Sequence, residues 1–540
     1  MKILNSKEFK QLLNSGAANL SNNYQEIDAL NVFPVPDGDT GTNMSMTFTT
    51  GVNEAIYYDS DSVGEIAKVL SKGLLMGARG NSGVILSQIF RGFYQAIENN
   101  KNLNALDFAR AFENGTALAY KAVMRPVEGT ILTVIRESSW YANKYIENNP
   151  DIDIIQYMEK LIEFAKDSLD HTPELLPVLK EVGVVDSGGS GLLLILEGFL
   201  ASLYNKPIEY LTNNDQIVSK VTDISHDEFL YCTEFIIKLE KENIDTFSEV
   251  LLRKNLEKIG NSIVVVQDED LVKVHVHTLT PGDALNLGQR NGEFLKLKIE
   301  NMQQQHDNIV NNENKQTKEE TKEYGMISVG FGNGLINLLK EYRCDYVVTG
   351  GQTNNPSTED FVEAINNVNA RNIFILPNNS NIILAAKQAG ELIEDKNIIV
   401  IETKTIIQGL RVLLSYNDQD TIDNNILEMN KAMTLVNTAS VTYAIKDTNI
   451  DGTNINQGDY IGIYEKSIIV SNIDNLIVYK TIIDELLKKD NPEIITIISG
   501  QDALDSEIDY IKNYINSVSN IEIEYFKGDQ PVYRFILGIE

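Results

Sequence analysis

The apolar residues of this chain change their spacing along the sequence, and polar segments accompany the changes. Residues 1–205 carry apolar side chains at helical spacing, interrupted by glycine-rich turns, which predicts an all-α region. From residue 228 the apolar runs become rich in β-branched and aromatic residues, which is typical of strands. Residues 308–323 contain no large apolar side chain after Val310, so we interpret them as a linker. Because 540 residues also exceed one ordinary core, these changes predict about three domains.

We expect an all-α domain at 1–205, a small α+β domain at 222–307 and, after the linker, an α/β domain at 324–540. The first domain should gather its loops at one end. In the other two domains, strands are predicted at 229–239, 261–266, 271–278, 326–329, 346–349, 372–376 and 397–402, and the middle domain should hold helices at 246–258 and 281–291.

The formal net charge of −31 limits the class of partner. A chain this acidic repels nucleic acid and anionic membrane surfaces, so we expect neither as a ligand. The charge favours cations or a basic protein partner, although it also serves solubility alone.

Other features predict a cytoplasmic protein. The sequence contains no run approaching the ~20 apolar residues of a membrane span, so we expect no integral membrane segment. Its first residues lack the apolar region of a secretory signal. The two cysteines, Cys232 and Cys344, lie far apart in sequence and do not suggest a disulfide framework, which agrees with a reducing compartment.

The segment NVFPVPDGDTGTNM, residues 31–44, is the most informative motif. Asp37 and Asp39 flank Gly38, and two clustered carboxylates are costly unless a cation lies between them. Carboxylates suit Mg²⁺, which takes phosphate oxygens and waters as its other ligands. The alternative is a solvated Asp-Gly turn.

Three further turns precede helical segments. Residues 77–83, GARGNSG, lead into an apolar helix whose first backbone N–H groups could hold phosphate, although the turn is not a Walker A loop. Residues 125–130 and 183–191 are also polar or glycine-rich. For the last of these, the alternative is helix capping by Asp186 or Ser187.

Two histidines lie on one predicted strand. His275 and His277 are two residues apart, so both imidazoles should project from one face of the sheet. Cys232 lies on another predicted strand, so the three residues could meet. They could bind Zn²⁺, or act without metal in acid–base or phosphoryl chemistry. The alternative is a buried core thiol and solvent-facing histidines.

Together, the turns at Asp37-Gly38-Asp39, Gly80–Gly83 and Glu128-Gly129-Thr130 resemble the nucleotide-binding domain of dihydroxyacetone kinases. The resemblance covers about residues 1–205 and implies a DhaL-like barrel of antiparallel helices. It also implies that ATP binds among the loops at one end, with two Mg²⁺ ions bridging its phosphates to the aspartates. The first family aspartate falls near Asn31, and the family's Asp-Arg pair is replaced by Glu128-Gly129. The implied metal ligands are Asn31, Asp37 and Asp39, and the implied nucleotide contacts are Thr40, Thr42, Asn43, Gly80, Asn81, Ser82, Gly83, Thr130, Asp186, Ser187 and Gly188.

The whole chain resembles the kinase component of bacterial fatty acid kinases. This likeness extends through His275-Val276-His277, Thr280-Pro281-Gly282 and residues 298–302. It implies that Cys232, His275 and His277 are needed for transfer, with Zn²⁺ binding as the alternative role. It also implies that the middle domain holds a homodimer contact.

The C-terminal segment contains two polar loops after predicted strands, at 349–361 and 374–380. They read as ordinary strand-to-helix loops that could bind an anion. They also look like the Ser-Gln-Pro-Ser turn of DegV-type fatty-acid-binding proteins, which implies a two-lobed α/β fold. Residues 324–540 hold 30 acidic and 16 basic residues, a net charge near −14. The resemblance implies that this acidic region is a docking surface for a DegV-family carrier.

The predicted function is therefore ATP-dependent phosphorylation of a fatty acid presented by a separate binding protein, giving acyl phosphate for phospholipid synthesis. One rival is a dihydroxyacetone-type kinase of a small polyol. The other is a non-catalytic scaffold that senses nucleotide and regulates a partner.

Overall fold

The computed structural model describes residues 3–30, 38–123, 125–211, 231–239, 247, 252, 256, 259–268, 271–278, 280–301, 321–351, 355–450, 452–489 and 492–540. The chain forms two compact units. One unit combines residues 1–210 with 321–540, and the other comprises residues 211–320.

The N-terminal region is helical, as predicted. Each of its first seven helices packs against the next, and α10 packs against both α7 and α1, which closes a ring around an apolar core. Capping boxes begin α1, α5 and α7. The helices are α1 (Ser6–Ala29), α2 (Thr40–Tyr57), α3 (Val63–Gly77), α4 (Gly80–Ile97), α5 (Ala105–Ala122), α6 (Ile131–Asn148), α7 (Ile154–Asp170), α8 (Thr172–Leu175), α9 (Pro177–Val182) and α10 (Ser187–Leu203).

The middle region contains an antiparallel sheet in the order β2-β3-β1-β4. Alternate residues of β1 and β3 are buried, and they include Phe235, Ile237, Val274 and Val276. This period of two is the strand pattern expected from the sequence. The elements are β1 (Tyr231–Leu239), β2 (Gly260–Asp268), β3 (Leu271–Thr278), α11 (Pro281–Gln289) and β4 (Gly292–Asn301). The predicted helix at 246–258 falls mostly outside the described residues.

The C-terminal region is α/β and contains a parallel sheet in the order β6-β5-β7-β8. The first strand begins at Lys322, inside the segment interpreted as a linker. Strands and helices alternate as predicted. The elements are β5 (Lys322–Gly330), α12 (Asn333–Glu341), β6 (Tyr346–Thr349), α13 (Thr358–Asn367), β7 (Ala370–Leu376), α14 (Ile383–Glu391), β8 (Asn397–Val400), α15 (Ile406–Ser415) and α16 (Ile422–Thr434).

The C-terminal region also contains a mixed sheet in the order β13-β12-β9-β16-β14-β15, in which β14 and β15 are parallel, and a separate antiparallel pair of β10 and β11. The core of the mixed sheet is rich in isoleucine and is covered by α17 and α18. The elements are β9 (Asn437–Tyr443), β10 (Thr448–Ile450), β11 (Thr453–Ile455), β12 (Tyr460–Tyr464), β13 (Ser467–Asn472), α17 (Asn475–Leu486), β14 (Ile494–Ser499), α18 (Asp505–Val518), β15 (Glu522–Lys527) and β16 (Phe535–Ile539).

The helical and C-terminal regions share a packed interface within one unit. Ala78 and Val84 of the helical region belong to the same buried apolar cluster as the parallel sheet. Beside them, the Gln388 side chain on α14 donates to the Leu75 carbonyl at 2.8 Å. The predicted domains at 1–205 and 324–540 are therefore not separate bodies joined only by connectors.

In the part of the chain that the structure describes, we find no helix with both the length and the apolar content to cross a membrane.

Candidate functional site

The N-termini of four helices meet at one end of the helical ring. Asn43 of α2 lies close to Gly80 of α4, since a Cβ built on Gly80 would be 2.7 Å from the Asn43 amide nitrogen. Met44 of α2 similarly lies against Gly191 of α10. Helix N-termini present unpaired backbone N–H groups, so this end favours an anionic ligand.

The predicted nucleotide contacts lie at these four helix starts. Their positions are Thr40, Thr42 and Asn43 on α2; Gly80, Asn81, Ser82 and Gly83 on α4; Thr130 before α6; and Asp186, Ser187 and Gly188 at the start of α10.

Asp39 lies immediately before α2, and its side chain makes no capping bond to that helix. Its Oδ2 instead accepts a hydrogen bond of 2.5 Å from the Asn355 side-chain amide. The other predicted metal ligands, Asn31 and Asp37, lie outside the described residues.

The start of α2 is held by Asp28, a residue that the sequence analysis missed. The Asp28 carboxylate accepts hydrogen bonds from the backbone N–H of Gly41 at 2.6 Å and from the Thr42 hydroxyl at 2.7 Å. Burial raises the pKa of Asp28, and the bonds from Thr42 and Gly41 oppose that rise. A Cβ on Gly41 would lie 2.1 Å from the Tyr24 carbonyl, so glycine is required where α2 meets α1. Asp28 therefore fixes the turn that carries Asp39.

The phosphate-type turn before α4 is also fixed to α2. The backbone N–H of Arg79 donates to the Thr47 hydroxyl at 3.1 Å. Gly80 has a φ of +59°, in the left-handed region where glycine is favoured. The Arg79 side chain makes no capping bond to α4, and the first N–H groups of a helix can bind an anion.

Glu128 and Thr130 precede α6. Burial alone would raise the pKa of Glu128, but hydrogen bonds from Thr133 and Arg136 outweigh it and lower that pKa. The distance from Arg136 Nη1 to Glu128 Oε1 is 2.7 Å. Glu128 is thus held by protein groups, and Thr130 caps α6 by accepting from the Leu132 N–H at 3.4 Å.

Asp186 is the N-cap of α10, which is the alternative that the sequence left open. Its Oδ2 accepts from the Gly189 N–H at 2.7 Å. Burial raises the pKa of Asp186 to about 6, even though backbone hydrogen bonds from Gly189, Ile131 and Gly188 oppose the shift. Contact of nucleotide with Asp186, Ser187 and Gly188 stays a prediction.

Asn355 is a second residue that the sequence analysis missed. It belongs to the C-terminal region, in the loop between β6 and α13, and is only 1% exposed. The polar loop at 349–361 was predicted as a possible anion site within the α/β region, but its described part from Asn355 to Thr358 is buried beside Ala78 and Arg79.

In the middle region, the backbone register pairs Cys232 of β1 directly with His277 of β3. His275 precedes His277 by two residues on β3, and its backbone pairs with Glu234 of β1. The side chains of Cys232, His275 and His277 lie outside the part that the structure describes, so their cluster stays a prediction. Cys344 differs, because its thiol is buried in the C-terminal region and burial raises its pKa to about 12.

Among the described residues, no three His, Cys, Asp or Glu side chains form a group able to hold a metal ion.

Three family models match successive parts of the chain. The DAK2 domain matches residues 34–201. The middle domain of the FakA-like fatty acid kinase family matches residues 228–309. The C-terminal domain of the same family matches residues 325–540. These kinase-related families imply that the chain binds nucleotide.

Two bacterial relatives align with nearly the full chain. Protein YloV of Bacillus subtilis is 44% identical over 556 residues, covering 100% of both chains. An uncharacterized protein of Staphylococcus epidermidis is 42% identical over 553 residues, covering 99% of each.

Solved structures give a weaker likeness. The DegV family protein Cg2579 of Corynebacterium glutamicum has a TM-score of 0.32 and 10% identity, covering 40% of this chain and 96% of its own. The fatty acid kinase B3 protein of Streptococcus pneumoniae, loaded with linoleic acid, has a TM-score of 0.30 and 10% identity, covering 40% and 99%. Scores this low do not define the fold of the C-terminal region.

Proposed function

The chain belongs to the FakA-like fatty acid kinase family, and on that premise we propose that it phosphorylates a fatty acid presented by a separate fatty-acid-binding protein. A carboxylate oxygen of the fatty acid would attack the γ-phosphorus of ATP. The bond from that phosphorus to the oxygen it shares with the β-phosphate would break, giving ADP and acyl phosphate for phospholipid synthesis. The observation that carries the proposal is the convergence of four helix N-termini beside Asp39.

The residues at this end suit a phosphate ligand. Backbone N–H groups at the starts of α2 and α4 would bind the phosphates, and Asn43 and Gly80 bring those two starts together. Asp28 and Thr47 hold the two turns in place through hydrogen bonds to Thr42 and Arg79. Such positioning supplies much of the rate in phosphoryl transfer.

The same end fits Mg²⁺. Asp39 offers a hard carboxylate oxygen. The Asn355 amide oxygen is buried and accepts no hydrogen bond from a described protein group. Mg²⁺ and its bound waters favour oxygen atoms of these types. We assign Asn31, Asp37 and Asp39 as the residues that would hold two ions. When bound, the ions would neutralise charge on the phosphates. Asp28 and Asn355 would keep Asp39 in place.

Cys232, His275 and His277 would act on the acyl group rather than on ATP. The register of β1 and β3 supports this set, because it brings Cys232 opposite His277. The three residues would serve directly in acid–base or phosphoryl chemistry, and Zn²⁺ binding is the alternative role for the same set. Retained activity after prolonged chelation, with Mg²⁺ restored, would favour the direct role.

The acyl chain would be held by a DegV-family carrier. The C-terminal region has a cleft of about 210 Å³ between its two sheets, lined in part by Phe331, Pro377, Lys404 and Tyr533. The two-sheet architecture agrees with the proposed two-lobed, DegV-like fold. The middle region would hold the homodimer contact.

The test is transfer from γ-labelled ATP by the full chain, with fatty-acid-loaded carrier, with empty carrier, or with dihydroxyacetone. We expect labelled acyl phosphate only with the loaded carrier. Phosphorylation of dihydroxyacetone would indicate the small-molecule kinase instead. Nucleotide binding without any transfer would indicate the regulatory scaffold.

A further inference from the structure

We propose that Asn355, on the C-terminal α/β region, is a positioning residue of the nucleotide site on the helical region. This inference rests on the proposed function, because it takes Asp39 as a ligand of the metal–nucleotide complex. It adds that the site is incomplete without the C-terminal region.

Asn355 touches both turns of the nucleotide site. Its Nδ2 donates to Asp39 Oδ2 at 2.5 Å. A Cβ built on Gly80, at the start of the phosphate-type turn, would lie 3.5 Å from the same nitrogen. The amide group is therefore placed between the carboxylate turn and the start of α4.

The backbone around Asn355 is anchored to the helical region. Arg79 Nη1 donates to the Asn355 carbonyl at 2.8 Å. The backbone N–H of Thr358 donates to the Ala78 carbonyl at 3.1 Å, and Arg79 and Ser357 form an antiparallel bridge. These contacts hold the main chain from Asn355 to Thr358 against the helical region, which places the Asn355 side chain beside Asp39.

The oxygen of the Asn355 side-chain amide indicates that a ligand binds here. Asn355 Oδ1 is buried and accepts no hydrogen bond from any described protein group. A buried acceptor without a partner lowers stability, so each such atom calls for an explanation, such as a bound ion or water. Mg²⁺ keeps several waters when it binds proteins and phosphates, and those waters are donors. Asn355 would thus orient Asp39 with its nitrogen and accept from the hydrated ion with its oxygen.

Groups that orient metal ligands in this way have a measurable effect. Removing an outer partner of a ligand lowers metal affinity by about 10–100-fold. We therefore expect loss of the Asn355 amide to raise the Mg²⁺ requirement for nucleotide binding.

The experiment is a titration of a fluorescent ADP analogue into full-length protein at a series of Mg²⁺ concentrations. Asn355→Ala should raise the Mg²⁺ concentration for half-maximal binding about 10-fold or more. Asn355→Leu, which fills similar space without an amide, should give the same shift. It provides the measurement if the alanine variant does not fold.

The matched control is Gln388→Ala. Gln388 is also a buried amide at this interface, but it bonds to Leu75 and Gln88, neither of which is a predicted metal or nucleotide contact. Its variant should stay within about twofold of the wild type. An unchanged Mg²⁺ requirement in both Asn355 variants, or an equal shift in Gln388→Ala, would overturn the inference.

Asp39→Ala separates this inference from the proposed function. If it abolishes Mg²⁺-dependent binding while the Asn355 variants match the wild type, only the role of Asn355 falls. If Asp39→Ala leaves Mg²⁺ dependence unchanged, the metal assignment in the proposed function falls, and the positioning role falls with it.

Discussion

Asp28, Asp39 and Asp186 lie near the starts of α2 and α10 at the nucleotide end, and their hydrogen bonds differ. Asp28 accepts from the first turn of α2, and Asp186 accepts from the first turn of α10. Asp39 caps neither helix and faces an amide of the C-terminal region. Asp28 is therefore a structural group, and Asp39 is a carboxylate that we assign to ligand binding. Asp186 is the N-cap of α10, and its contact with nucleotide stays a prediction.

Asp39→Ala should lower phosphoryl transfer at least ~100-fold, as loss of one electrostatic group of an active site does. The fold should persist, because Asp28 rather than Asp39 pins α2. We predict the same loss for Asp37→Ala. The measurement is transfer at millimolar Mg²⁺ together with circular dichroism. Asp61→Ala, an exposed carboxylate after α2, is the control and should keep wild-type activity. Near wild-type transfer by either test variant would refute the metal assignment.

Substitution of Cys232, His275 or His277 should impair acyl-phosphate formation by about 100-fold or more, the range for loss of an acid–base group. ADP binding should change less than about twofold, because these residues belong to β1 and β3 and not to the helices that would bind nucleotide. The variants Cys232→Ser, His275→Ala and His277→Ala would be assayed for both quantities. Parallel loss of nucleotide binding would indicate misfolding instead.

At the scale of elements, helix α10 is capped by Asp186, whose burial disfavours the charged carboxylate. Burial raises the pKa of Asp186 to about 6 from an ordinary value of 3.8. The folded protein therefore binds this proton more tightly than the unfolded chain does. The stability that the protonated group contributes is full below about pH 4 and is lost as pH rises through about 6.

Asp186→Asn should remove this pH dependence, since an amide oxygen can still accept from Gly189 but carries no charge. Without nucleotide, the variant should gain stability relative to the wild type by about 1 kcal/mol between pH 5 and pH 7.5. Urea unfolding at several pH values measures the difference. Asp61→Asn should show no such trend, and a gain that shrinks as pH rises would contradict the assignment.

At the scale of the whole molecule, the interface between residues 1–210 and 321–540 changes how the chain is to be tested. Removing the C-terminal region would expose Ala78 and Val84 and take Asn355 from Asp39. Deletion would then disturb the nucleotide site as well as any docking surface. Surface substitutions in the full chain avoid this ambiguity.

The acidic C-terminal region should recruit the carrier electrostatically. Opposite charges across an interface mainly raise the association rate, and the effect is screened over ~8 Å at physiological ionic strength. Neutralising six exposed acids of this region should slow carrier association about 10-fold at low salt and less at high salt. The six are Glu394, Asp395, Asp418, Asp423, Asp502 and Asp505.

The matched control neutralises six exposed acids of the helical region, which keeps the change in total charge the same. Stopped-flow association at low and high salt compares the two variants. If both sets slow carrier association equally, net charge rather than the C-terminal region determines the association rate. If the association rate does not depend on salt, the carrier does not dock through this acidic surface. The control residues are Asp59, Asp61, Glu98, Glu147, Asp151 and Glu163.

Local patterns in the sequence predicted much of the secondary structure. Helical spacing predicted the all-α region at 1–205, and the strands predicted at 271–278 and 346–349 match β3 and β6 at both ends. These signals succeed because periodicity and capping act between residues a few positions apart. Glycine-rich turns are also local patterns, so the sequence could predict the positions of the nucleotide contacts.

Only the tertiary structure decided which carboxylates hydrogen-bond to helix N-termini and which residue faces Asp39. Asp28 lies outside the conspicuous motif, and Asn355 is separated from Asp39 by 316 residues. Neither contact follows from spacing, because the first depends on how α1 packs against α2 and the second on how the C-terminal region packs against the helices. The sequence by itself determined the helical and strand segments, the turns and the family. The packing of the α/β region against the helices decided that a C-terminal amide lies at the nucleotide end.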